Sequence, residues 1–123
     1  MATGCVKTKN KMMYCMSIQV QVVSNLDCAA HYSKVKIKIT GLMLCAGLPK
    51  KDSCKGDSGG PLFAKRKGNS PIYDQIGIVS FGQDCARPFF PGVYSRVGRF
   101  MKWIREHTKD ATYCSMSFNP AAV

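Results

Sequence analysis

Acidic residues are scarce in this chain. Seven aspartates and glutamates stand against 18 lysines and arginines, a formal net charge of +11. Such a balance favours polyanions such as heparin-like glycans, nucleic acid or anionic membranes. Long apolar runs are missing too, and none approaches the roughly 20 residues that a membrane-spanning helix needs. The N-terminal stretch MATGCVKTKNKMMYCMS has lysines but no apolar core of about 7–15 residues, so it does not read as a secretory leader. Histidine is nearly absent, with only His31 and His107. No Cys-x-x-Cys pair and no second His or Cys at ligand spacing accompanies them, which excludes a zinc site. No metal or other cofactor is expected. Nothing has the pattern of a helix-turn-helix, a zinc finger or an aromatic stacking platform, which excludes specific nucleic-acid recognition. Internal repeats and low-complexity segments are also lacking, so disorder is not the organising feature.

What is present is enough chain for one modest domain: 123 residues can bury a real core. Seven cysteines in that length point to an oxidising, extracellular compartment. Cysteines without a leader are in tension, and the simplest expectation is that Met1 is not the natural start of the full protein. The lysines gather at Lys7–Lys11, Lys34–Lys38, Lys50–Lys55 and Lys65–Lys67. These places read as turns and wet strand faces, so solvated surface with weak polyanion binding is the expectation.

Periodicity marks a β-rich chain. Ile18 to Val23 alternates and then turns apolar, as a half-buried strand does. Ser24-Asn25-Leu26-Asp27 can cap a short helix through Tyr32. Val35 to Ile39 alternates strictly and reads as strand-like or extended. Leu42–Ala46, Pro61–Lys65, Ile72–Phe81 and Gly92–Arg96 read as further strands. Lys65 to Ser70 reads as a basic turn. Phe100, Trp103, Ile104 and His107 recur at helical spacing, predicting an amphipathic helix over 97–107. The expected division is a divergent N-terminal segment (1–17), a barrel with its helix (18–107) and a mobile tail (108–123).

One stretch carries chemistry. Lys51 to Leu62 reads KDSCKGDSGGPL, with Ser58 set among Gly56, Gly59 and Gly60. A serine hydroxyl becomes a useful nucleophile only when a base takes its proton and a third group orients that base. Asp52 to Pro61 resembles the nucleophile loop of the trypsin-like serine proteases. The resemblance extends in family order. Cys45-Ala46-Gly47 precedes the loop. Gly77-Ile78-Val79-Ser80-Phe81-Gly82, Cys85, Pro91 to Val97 and Trp103-Ile104 follow it. Thr3-Gly4 is similar to the start of the family's Thr-Gly-Trp-Gly turn, with Cys5 and Val6 in place of Trp and Gly. In style the sequence is most similar to arthropod clip-domain and haemolymph proteases.

The resemblance implies an all-β fold: the C-terminal six-stranded antiparallel barrel of the trypsin-like architecture with a C-terminal helix, the N-terminal barrel being absent. It implies Ser58 as nucleophile and the N–H groups of Gly56 and Ser58 as oxyanion hole. Asp52 would form the floor of a pocket for substrate Arg or Lys, with Ser53, Ser80, Phe81, Gly82 and Gly92 contributing to substrate binding. Tyr32 and Tyr94 resemble pocket-supporting tyrosines. Asp57 would receive the new N-terminal amine of an activated zymogen. Cys28 would pair with Cys45, and Cys54 with Cys85, leaving Cys5, Cys15 and Cys114 unplaced. Cys28-Ala29-Ala30-His31 looks like the family's motif around the catalytic histidine, but its neighbours follow the order of the helix before Cys45. His31 and His107 are therefore expected to be structural.

The leading expectation is a secreted trypsin-like endopeptidase cleaving after Arg or Lys, present as a partial domain without its catalytic His and Asp and inactive alone. Its partners would be protein or peptide substrates and the missing N-terminal barrel. The rival is a non-catalytic protease homologue with a binding or regulatory role.

Overall fold

A computed structural model of the chain describes residues 1–7, 13–48, 57–68, 70–82 and 90–113, with the backbone alone for 3–7 and 13–16. Among these residues seven strands form one sheet: β1 (Ala2–Lys7), β2 (Met13–Ile18), β3 (Gln21–Val23), β4 (Met43–Gly47), β5 (Pro61–Lys65), β6 (Tyr73–Phe81) and β7 (Gly92–Arg96). Their order is β2-β1-β5-β6-β7-β4-β3, and every pairing is antiparallel. The two strands at the ends of that order, β2 and β3, are separated in sequence only by Gln19 and Val20. Ile18 and Gln21 are three Cα steps apart, at most about 11 Å, so the end of β2 lies beside the start of β3 and the two edge strands approach each other there. With β2 and β3 as halves of one bent strand, the architecture is the six-stranded antiparallel barrel that the resemblance implies, followed by a C-terminal helix.

The strands divide apolar residues between two sides. Ala2, Leu44, Ala46, Leu62, Val79 and Tyr94 form one buried cluster, drawn from β1, β4, β5, β6 and β7. Cys28, Tyr32, Cys45 and Val93 form a second, on the opposite side of β4 and β7. Successive strand residues face opposite ways, so Leu44 and Ala46 enter the first cluster while Cys45 enters the second. Covering on both faces explains why Met43–Ala46 is a continuous apolar run rather than an alternating one; Leu42, just ahead of the strand, is exposed.

The outer cover of β4 is α1 (Asn25–Tyr32). Its N-cap is Ser24, whose hydroxyl accepts from the Asp27 N–H at 3.1 Å and donates to the Asp27 carboxylate at 2.6 Å, satisfying an otherwise orphaned helix donor. The Cys28–Cys45 disulfide ties this helix to β4. At the helix start, Asn25 donates to the carbonyls of Thr40 and Met43, at 2.9 and 3.0 Å. Arg96, the last residue of β7, donates to Asn25 Oδ1 at 2.8 Å and to the Met43 carbonyl at 3.1 Å.

Two sequence expectations change form. Val35 to Ile39 is not a strand. Ser33–Val35 is a 3₁₀ turn, and Lys36 follows in the left-handed region at φ 59°. The alternation is nevertheless real: Val35, Ile37 and Ile39 pack against the outer cluster, while Lys36 and Lys38 are exposed. Burial, not ladder hydrogen bonding, produced the period. Residues 97–107 split into a 3₁₀ turn, Val97–Arg99, and α2 (Met101–His107). Trp103 is 60% exposed and stacks on His107, one helical turn ahead, with centroids 4.4 Å apart. The aromatic spacing reports this side-chain pair rather than a buried stripe. No helix among the described residues is long and apolar enough to cross a membrane.

Candidate active site

Ser58 sits on a four-residue turn, Asp57-Ser58-Gly59-Gly60. The Gly60 N–H donates to the Asp57 carbonyl at 2.8 Å, closing it. Gly59 has φ +83°, the left-handed value that the third position of a type II turn requires and that glycine adopts without a Cβ clash. The turn is held against β6 from both sides of the chain. The Gly59 N–H donates to the Val79 carbonyl at 2.9 Å, and the Val79 N–H donates to the Gly60 carbonyl at 2.8 Å. Glycine at 59 is thus a backbone requirement. Ser58, next to these anchors, is exposed. Among the described residues its hydroxyl meets no imidazole and no carboxylate at hydrogen-bonding distance.

The strand that anchors this turn also carries the next site residues. β6 pairs Val79 with Tyr94 and Phe81 with Val93, so the register slips by one at Ser80. Ser80 is the extra residue of a bulge, a device that bends a strand and re-aims its side chains. Its effect shows in burial: Val79 is buried, whereas Ser80, Phe81 and Gly82 are all exposed. Gly92 lies one residue before Phe81's partner Val93 and is buried opposite Ala46 of β4. Ser58's turn, Ser80, Phe81, Gly82 and Gly92 therefore gather at one end of the β6–β7 pair.

A buried tyrosine braces that end. Tyr32, the last residue of α1, is fully buried, and its hydroxyl donates to the Pro91 carbonyl at 2.7 Å. Phe81 and Phe90 each meet its ring edge-to-face, with centroids 6.1 and 5.4 Å away, a favoured quadrupolar geometry. Helix α1, disulfide-bonded to β4, thereby fixes the backbone just before Gly92. Phe90 and the Ser80 bulge are the contributions that sequence reading passed over. The aromatic pair Phe89-Phe90 before Pro91-Gly92 was the available signal for the first; nothing in the sequence marks the second. Tyr94 is fully buried in the first cluster.

Asp57 is half-buried, and its carbonyl closes the Ser58 turn. His31 lies in the last turn of α1 and His107 at the end of α2, where Nδ1 is 2.8 Å from the Trp103 carbonyl. Asp52, Ser53, Cys54, Gly56 and Cys85 lie outside the described residues. The described residues contain no cluster of three or more metal-binding side chains.

A family model described as Trypsin matches residues 1–104. Among curated relatives, the Clotting factor G beta subunit of Tachypleus tridentatus is 38% identical over 117 residues, covering 89% of this chain and 38% of that protein. A Venom protease of Bombus pensylvanicus is 47% identical over 88 residues, 70% of this chain and 33% of that protein. The Urokinase-type plasminogen activator of Gallus gallus is 41% identical over 105 residues, 84% of this chain and 23% of that protein. The chain thus spans less than two fifths of the length of each.

Proposed function

Because this chain belongs to the trypsin family, we propose that it supplies the nucleophile half of a secreted serine endopeptidase that cleaves after Arg or Lys. The observation that carries this reading is the Ser58 turn: an exposed hydroxyl on a glycine-dependent bend, held to β6 by two backbone hydrogen bonds. The mechanism is the family's established one. An imidazole takes the Ser58 proton as the hydroxyl oxygen attacks the scissile carbonyl. The peptide C–N bond then breaks, the departing amine receives the proton, and an ester to Ser58 remains for water to hydrolyse. The N–H groups of Gly56 and Ser58 would stabilise the oxyanion; each such donor is worth roughly 3–4 kcal/mol in a transition state. Asp52 would pair with the substrate's basic side chain, a charge-assisted contact in a confined site. Ser53, Ser80, Phe81, Gly82 and Gly92 would line the substrate's path, and Asp57 would hold an activating amine. On this reading the imidazole and its orienting carboxylate would come from outside these 123 residues. Neither His31 nor His107 takes that role.

The test is hydrolysis of an arginyl ester by the chain alone and by the product of the reading frame extended upstream of Met1. The chain alone should show negligible turnover, and the longer product should be active and lose activity in Ser58→Ala. Robust turnover by the chain alone, abolished in Ser58→Ala, would overturn the division of the triad. An upstream stop codon in frame would favour the second reading, a binding protein that keeps the Ser58 turn without a base. The observation behind that alternative is the absence of an imidazole within hydrogen-bonding distance of Ser58 among the described residues.

A further inference from the structure

The β1–β2 hairpin brings together two cysteines that neither the family pattern nor the sequence places. Its register runs without a bulge from Ala2↔Ile18 to Lys7↔Met13 and sets Cys5 directly opposite Cys15. Facing residues of an antiparallel pair lie on the same face of the sheet, with Cα atoms about 4.5 or 5.5 Å apart depending on the ladder position. A disulfide accepts Cα separations of about 4.4–6.8 Å, so either position is within its reach. We propose that Cys5 and Cys15 form a cross-strand disulfide.

Two further observations bear on it. First, this ribbon is supported on one side only near its base. β1 pairs with β5 at Ala2↔Leu62 alone, while all six of its residues pair with β2. From Thr3 to Lys7, among the described residues, the pairing is that of a two-stranded ribbon, an arrangement marginal in water without a further constraint. A bond between Cys5 and Cys15 closes the ribbon where the sheet does not. Second, Cys28–Cys45 is already bonded, so neither of those residues competes for the pair.

The oxidation balances against a small disulfide such as oxidised glutathione. The thiolate of one cysteine attacks that disulfide and releases one reduced thiol. The second cysteine's thiolate then displaces the other thiol from the mixed disulfide. One S–S bond is gained by the protein and one lost by the oxidant, and the two cysteine protons end on the two released thiols.

Peptide mapping tests this directly on the 123-residue chain, folded in a glutathione redox buffer and alkylated before digestion. Cleavage after Lys and Arg combined with cleavage before Asp separates Met1–Lys7 from Met12–Leu26 and separates Cys15 from Cys28. The expected product is those two peptides joined, lighter by two hydrogens than the free thiol pair, and split by reductant. In Cys5→Ser, Cys15 should become alkylated while the Cys28–Cys45 link persists. Alkylation of Cys5 and Cys15 in the wild-type chain, a bond from either one to Cys114, or continued protection of Cys15 in Cys5→Ser would each overturn the proposal. The wild-type map needs no variant to fold.

Discussion

Gly77 sits in the middle of β6, buried, where an added methyl group has nowhere to go. A Cβ at this position would lie 3.1 Å from Tyr94 Cβ and 3.2 Å from both Leu62 Cβ and Leu62 Cδ2. Carbon atoms prefer about 3.5–4.0 Å, so each neighbour must retreat by a few tenths of an ångström. Leu62 Cδ2 can rotate, but only into a core that already holds Ala46, Leu44 and Val79. The two Cβ atoms cannot rotate away at all. Each is fixed to the backbone of a strand that pairs with β6 here, Leu62 opposite Gly77 and Tyr94 opposite Val79. Relief therefore requires β5 and β7 to move apart from β6.

Two effects of opposite sign compete in Gly77→Ala. Alanine restricts the unfolded chain and so favours folding by about 0.4–1 kcal/mol. Overpacking a close-packed core costs about 1–3 kcal/mol. The second should win, for a net loss of about 1–2 kcal/mol. Urea unfolding followed by far-UV circular dichroism should show a lower midpoint with an unchanged slope. Gly41→Ala is the control: its Cβ would meet nothing within 4 Å, so only the entropic gain operates and the midpoint should hold or rise slightly. A Gly77→Ala midpoint equal to or above wild type would refute the claim that β5, β6 and β7 are rigidly packed at this level. It would also weaken the inferred stiffness of the Ser58 turn, whose anchor Val79 is two residues away on the same strand.

The remaining predictions concern the site's supports and one surface pair. Gly59→Ala forces a Cβ into φ +83° and should cost about 1–2 kcal/mol; wild-type stability with unchanged amide exchange at Gly59 would count against the turn as described. Replacing Cys28 and Cys45 together by alanine opens a loop with a sequence separation of 17. It should cost about 3 kcal/mol in thermal or urea unfolding, and a loss below half of that would mean α1 is held mainly by packing. Arg66 and Asp74 form a bidentate pair at 3.0 and 2.5 Å, and the hydrogen bond from Arg66 holds the Asp74 carboxyl below its ordinary value. A depressed folded value means stabilisation that is present above the unfolded carboxyl's titration and lost as pH falls through the folded one. The small midpoint difference between wild type and Asp74→Asn should therefore persist at neutral pH and close below about pH 4; a difference independent of pH would rule out the ion pair as its source.

Legibility in the sequence followed the range of the forces involved. Pro61–Lys65 and Gly92–Arg96 are strands with the expected bounds. Ser24 caps α1 as expected because capping is a contact between residues three apart. Val35–Ile39 misled about structure for a physical reason: an irregular segment laid across a cluster buries every second residue as a strand does. Periodicity reports which side chains are covered and not which amides are bonded. The β1–β2 hairpin was not readable as two strands. Gly4 interrupts the first, Met12-Met13 obscures the start of the second, and their pairing is fixed by register rather than by any local signal.

At the candidate site the same division has a functional consequence. The turn at Ser58 was legible because backbone shape demands glycine at position 59, so that residue type marks it in the sequence. What positions that turn left little mark. The turn is anchored through the backbone of Val79, and backbone hydrogen bonds are indifferent to which side chain the strand carries. The brace at Tyr32 spans 59 positions to the Pro91 carbonyl, again a backbone acceptor. An Ala or Ile at position 79 would leave both anchors of the turn in place, whereas Tyr32→Phe would remove the hydrogen bond from the Tyr32 hydroxyl to the Pro91 carbonyl, just before Gly92. Losing that bond should cost about 1 kcal/mol. Its geometric effect should fall on Pro91 and Gly92 and spare Ser58, because Ser58's turn is tied to β6 and not to β7. Amide exchange would separate the two: faster at Gly92 with Gly59 unchanged if the supports are independent, faster at both if the end of the β6–β7 pair yields as one body.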